Sequence, residues 1–176
     1  MPENTQTDRY LYVVDYREDA ERKRAEYLFN NWEEGTIDRP SGLVRIAEGV
    51  DQEALYEGLV AKVPPDQVEM LALESVETDL DPERVDVDER IAASADAVET
   101  FLEYVLSKRK AVVQSATHNE YEIYTKKGRA QVSYTVAERA EGVGVHVTIE
   151  GYAPAPRFLG EFFQTELAEY AASQTS

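Results

Sequence analysis

The residues that could carry chemistry are few, and none stands at a spacing that commits it to a reaction. There are 2 histidines and no cysteine. The missing thiols close off disulfides, thiolate catalysis, iron–sulfur clusters and thiolate zinc sites. His118 lies in a polar stretch with Thr117 and Asn119, and His146 falls on the non-core side of a strand-like run. Neither shows HxH or HxxxH spacing, so a metal would have to draw carboxylates from elsewhere. Asp79, Asp81 and Glu83 alternate as in a calcium-binding loop. Such a loop needs glycine at the next position and a bidentate Glu further on, where this chain has Arg84 and Arg90. Phosphate-cradling glycine motifs and the GxSxG nucleophile elbow are absent. Carboxylate pairs occur throughout, which singles out none as general acid and base. No catalytic residue, cofactor or metal site is assigned from the sequence.

One window breaks the acidic pattern. Residues 108–129 hold six basic side chains, Lys108, Arg109, Lys110, Lys126, Lys127 and Arg129, against Glu120 and Glu122, a local balance of +4. Tyr121 and Tyr124 lie among them and Tyr134 just beyond, an interleaving of cations and aromatics suited to single-stranded nucleic acid or an anionic ligand. The plainer reading is that three of these charges sit at a helix C-terminus and three decorate a hairpin turn. A second candidate surface is the run 9–16, where Tyr10, Tyr12 and Tyr16 share one side of a strand. An exposed aromatic patch is costly unless it is an interface, so these tyrosines are expected to pack against the C-terminal half or a second subunit, the alternative being an open sheet face of the kind RNA-recognition domains use for stacking.

The chain as a whole carries 35 acidic against 18 basic residues, for a net charge of -17 over 176 residues. Together with only six lysines, this composition resembles that of proteins from salt-accumulating archaea. Molar salt shortens the Debye length to about 3 Å, so dense carboxylates hardly repel one another and keep the surface hydrated. A hydrophobic content of 43% sets the chain apart from disordered sequences. No apolar run reaches membrane-spanning length, and the expectation is a cytoplasmic protein without a membrane partner.

These candidates need elements to hold them. Residues 1–8 are polar and expected to be disordered. Residues 9–16 alternate as a strand. Ala25, Leu28, Phe29 and Trp32 give a helical stripe, and Leu43, Val44 and Ile46 give a short strand. Asp51 is placed to cap a helix carrying Leu55, Leu59 and Val63, ended by Pro64 and Pro65, and 67–76 reads as a strand. Residues 9–76 are thus expected to form a ferredoxin-like β-α-β-β-α-β half if a weak strand precedes Pro40, or β-α-β-α-β with a parallel sheet if not. Residues 77–89, rich in carboxylates, read as an acidic linker. Residues 90–172 then read as α-β-β-β-α: a helix with a stripe from Ile91 to Leu106, strands at 121–125, 130–137 and 143–152, and a last helix carrying Leu159, Phe163 and Leu167. The fold class expected is α+β, its C-terminal half an antiparallel meander flanked by helices.

Function follows by elimination. The expectation is a non-enzymatic protein that binds a partner or its own second copy, with nucleic-acid binding through the 108–129 window as the alternative. A hydrolase or isomerase using His146 or His118 with a carboxylate would require that histidine in an apolar, concave pocket.

Overall fold

The computed structural model describes residues 9–176, which fall into two compact units dividing between Ala72 and Leu73. The protein is α+β, the described residues forming four α-helices and one five-stranded antiparallel sheet. Among the described residues, no helix is long and apolar enough to cross a membrane.

The first unit contributes helix α1 (Asp19–Asn30) and helix α2 (Gln52–Val60), followed by a 3-10 turn at Pro65–Gln67. Helix α1 starts at a capping box between Glu18 and Glu21, and Arg22 bridges Asp19 and Glu26 at 2.7 and 2.8 Å along its surface. Asp51 caps α2 as its sequence suggests, accepting a hydrogen bond from the Ala54 amide at 3.1 Å. The ferredoxin-like arrangement expected of 9–76 is not formed, because its strands are missing. Residues 9–16, 43–46 and 68–76 carry no ladder, and no described residue of the unit is buried. Alternation marks a face able to be covered, but a strand exists only where a neighbour takes its hydrogen bonds. Arg9 does reach Glu69 at 2.9 Å, an ion pair linking the first and last of these segments.

The second unit holds the sheet: β1 (Glu83–Ile91), β2 (Val112–Ser115), β3 (Glu120–Thr125), β4 (Gly128–Arg139) and β5 (Gly142–Gly151), in spatial order β1-β5-β4-β3-β2. Helix α3 (Ala95–Lys108) follows β1, and helix α4 (Ala155–Gln174) follows β5. The meander appears where expected, as β3, β4 and β5. The acidic segment does not remain a linker throughout, since 83–89 pairs along β5, with Val85 opposite Ile149 and Val87 opposite Val147. Val85, Val87 and Ile91 turn inward while Arg84, Asp86, Asp88 and Arg90 turn outward, a strand alternation concealed by its charges. Ile91 accordingly ends β1 and does not begin a helix. Helix α3 starts at Ala95, capped by Ser94 accepting from the Ala97 amide at 3.3 Å.

Both helices lie on one face of the sheet. Val98, Leu102 and Val105 of α3 and Leu159, Phe163 and Leu167 of α4 are fully buried against Ile91, Ile123, Val132, Val147 and Ile149. Phe101 and Tyr170 stack at 3.9 Å and join the two helices. Gly160 lets α4 approach β1, since a Cβ there would fall 2.7 Å from Val85 Cγ1. Neither helix of this unit covers the opposite face, which is polar.

Candidate functional site

The polar sheet face is built by strand alternation: each residue facing the helices is followed by one facing out. On β1 the outward residues are Arg84, Asp86, Asp88 and Arg90. Their register partners on β5 are Glu150, Thr148, His146 and Gly144. The next row, on β4, sets Ser133 beside Thr148, Thr135 beside His146 and Ala137 beside Gly144.

His146 is the most heavily engaged group on this face. Its Nδ1 lies 2.6 Å from Asp88 Oδ1 and its Nε2 3.3 Å from Asp86 Oδ1. Thr148 Oγ1 donates to Asp86 Oδ1 at 3.0 Å and stands 3.2 Å from Nε2. The ring thus has a carboxylate oxygen near each of its nitrogens. Arg84 closes the cluster with a bidentate grip on Asp86 at 3.0 to 3.1 Å and reaches Glu150 at 3.6 Å. Those hydrogen bonds from Arg84 hold the Asp86 carboxyl below its ordinary 3.8; partial desolvation opposes them, and Thr148 and the His146 charge add to them. Both ring nitrogens are thus occupied, and the ring is 39% exposed on a polar face. That is not the apolar pocket an acid–base histidine was expected to occupy. His118 lies between β2 and β3, its Nδ1 3.0 Å from Ser115 Oγ. Among the described residues, no three metal-capable side chains converge. Glu83, one of the alternating carboxylates, pairs with Arg157 of α4 at 3.1 Å.

The basic window is divided between the two layers. Lys108 ends α3, pairs with Glu166 of α4 at 2.7 Å and lies 5.3 Å over Tyr104. That pairing raises the Lys108 pKa above its usual value. Arg109 lays its guanidinium over Phe162 at 4.1 Å and Phe158 at 5.2 Å. Both cations therefore tie α3 to α4. Lys110 takes a left-handed backbone at φ 52 in the turn before β2. Tyr121 faces the helices and stacks on Tyr134 at 6.2 Å. The remaining four gather at the β3–β4 hairpin. Tyr124 and Arg129 are register partners, Lys126 and Lys127 form the exposed turn, and Arg129 pairs with Glu122 at 2.8 Å. Tyr10, Tyr12 and Tyr16 belong to the first unit and are each more than half exposed, with Tyr12 at 6.2 Å from Phe29.

Sequence reasoning overlooked the outward row of β1, having read it as linker. The signal that could have found it is the spacing of Val85, Val87 and Ile91 beneath the charges. It also overlooked a groove of about 330 Å3 at the end of this row, bordered by Arg90, Arg139, Thr135 and His146. Compared with known protein families, with curated proteins and with solved structures, the chain matches none.

Proposed function

We propose that this protein works by binding a second copy of itself through residues 9–72, without catalysis. The observation that carries the reading is the first unit's exposure: no described residue of it is buried, while Tyr10, Tyr12, Val13, Leu28, Trp32, Ile46 and Leu55 all stand open. Fixing a residue's backbone costs about 1–2 kcal/mol, and full burial of a large apolar side chain returns about 1.5–3 kcal/mol. A unit with no fully buried side chain among its described residues lacks most of that return, and a covering surface supplies it. A second copy suits the vacancy because the unit offers extended, alternating segments with unused hydrogen-bonding edges, which complement their own kind. In the assembled state, segments 9–16, 36–39, 43–46 and 67–76 pair as strands of a ferredoxin-like sheet. The net charge of -17 fits a salt-rich cytoplasm, where screening permits two such acidic copies to approach.

Sedimentation equilibrium of the full chain at about 2 M KCl, where screening is nearly complete, tests this. A dimer or larger assembly is expected, and the combined variant Tyr10→Ser, Tyr12→Ser, Tyr16→Ser should shift it toward monomer. A strict monomer at every concentration overturns the reading. A second reading, nucleic-acid binding, draws on the gathering of Tyr124, Lys126, Lys127 and Arg129 at one hairpin. Charge reversal of Lys126, Lys127 and Arg129 to Glu would then abolish RNA retention at high salt, where stacking must supply most of the affinity.

A further inference from the structure

Among the described residues of the second unit, four arginines are engaged: Arg84, Arg129 and Arg157 by carboxylates and Arg109 by aromatic rings. Arg90 and Arg139 are not. No ion pair or hydrogen bond from the described residues reaches either guanidinium, although the chain carries 35 carboxylate side chains. Unpaired guanidiniums in so acidic a protein are conspicuous, and both border the same groove on the polar sheet face.

The groove arises from side-chain size. Arg90, Gly144 and Ala137 are register partners across β1, β5 and β4, so a hydrogen atom and a methyl group form the floor between two long side chains. Arg139 lies across that floor, its Nε 3.4 Å from where a Gly144 Cβ would be. Thr135 and His146 close the far end as the next cross-strand pair. The Thr135 hydroxyl has no partner among the described residues. Two carboxylates also border the groove, each with one oxygen engaged. Asp88 is turned onto His146 Nδ1 at 2.6 Å, and Glu89 accepts the Arg90 backbone amide at 3.1 Å. The donors left without a partner are two guanidinium forks and one hydroxyl.

We propose that this groove binds a small dianionic ligand, a phosphate monoester, with Arg90 and Arg139 bracketing the phosphoryl oxygens and Thr135 donating to a third. Planar guanidiniums match phosphate oxygens in pairs, and a second guanidinium favours a dianion over a monocarboxylate. The groove's volume of about 330 Å3 lies at the lower end of the range for small-molecule sites. The site is independent of the self-association surface.

The test is a titration of the isotope-labelled full chain with inorganic phosphate at constant salt, following the Gly144 and Thr135 amide resonances. Saturable shifts are expected, with half-saturation around 1 mM. Arg90→Gln and Arg139→Gln should each weaken binding about tenfold or more, the scale of one charge-assisted contact. Gly144→Val leaves the charge unchanged and fills the floor, so it should abolish the shifts. Arg45→Gln, in the other unit, should leave them unaltered. Malonate in a parallel titration separates the sources of a dianion: tighter phosphate assigns the groove to a phosphoryl group, and tighter malonate overturns that assignment. Absence of saturation also overturns the proposal, as does equal weakening by Arg45→Gln, or full binding by a folded Gly144→Val protein.

Discussion

Raising the pH should destabilise the second unit through one tyrosine. Tyr134 lies on the helix-facing side of β4, 5% exposed, its ring against Tyr121 and its hydroxyl within the field of Glu99 and Glu103 on α3. Burial, first of all, pushes its pKa from 10.0 up to about 12; the contact with Tyr121 and the two glutamates act in the same direction. A raised tyrosine pKa means that the folded state keeps its proton after the unfolded chain has lost it. Nothing is therefore lost below pH 10, and stability falls as pH climbs from 10 toward 12. Each unit of separation is worth about 1.4 kcal/mol, so the full loss is about 2 to 3 kcal/mol. Lys108 contributes in the same direction, since its raised pKa also gives stability that disappears at alkaline pH. Tyr134→Phe separates the two effects, because it removes only the tyrosine. Urea unfolding of both proteins, at steps from neutral to strongly alkaline pH, should give a constant difference below pH 10. Above it, the wild type should lose the additional 2 to 3 kcal/mol, about, that the Phe variant does not. Parallel curves for the two proteins across that interval would refute the assignment of a buried, hard-to-ionise hydroxyl.

Two glycines give a contrasting pair of expectations. Gly142 opens β5 at φ +96, and a Cβ there would lie 2.2 Å from the Ile91 carbonyl oxygen. Because that neighbour is backbone, Gly142→Ala should cost about 3 kcal/mol or more, read as a lowered urea midpoint that no nearby side-chain change restores; an unchanged midpoint would contradict it. Gly160→Ala meets a side chain instead, Val85 Cγ1 at 2.7 Å, and should cost about 1–3 kcal/mol by overpacking α4 on β1. Adding Val85→Ala should recover part of that loss in a double-mutant cycle, and strict additivity would show that the two residues do not meet.

The parts of the fold legible in the sequence are those where one burial pattern acts alone. Val143, Val145, Val147 and Ile149 alternate with small or polar residues, and all four are buried in β5. Leu159, Phe163 and Leu167 recur at helical spacing and all pack on the sheet from α4. Strand β1 was hidden because its inward side includes Glu83 and Glu89 near the ends of the strand. Glu83 can face inward there because Arg157 of α4 meets it. The first unit shows the opposite failure. Residues 9–16 alternate more clearly than β1 does, yet form no ladder, since alternation reports what a strand could bury and not whether a partner is present.

The same distinction separates charge along the chain from charge on a surface. The six cations of 108–129 are close in sequence, but the end of α3 directs Lys108 and Arg109 into the helix layer while the β3–β4 hairpin carries Arg129 to the polar sheet face. Two of the six are neutralised on the spot, Lys108 by Glu166 and Arg129 by Glu122. Arg90 and Arg139 stand in stretches of ordinary acidic sequence, where no window of net charge would reveal them. They meet because antiparallel register places Arg90 opposite Gly144 and Arg139 opposite Gly142, on adjacent sides of the same strand. In a chain with so many carboxylates, the informative cation is the one left without a carboxylate, and only strand pairing determines which one that is.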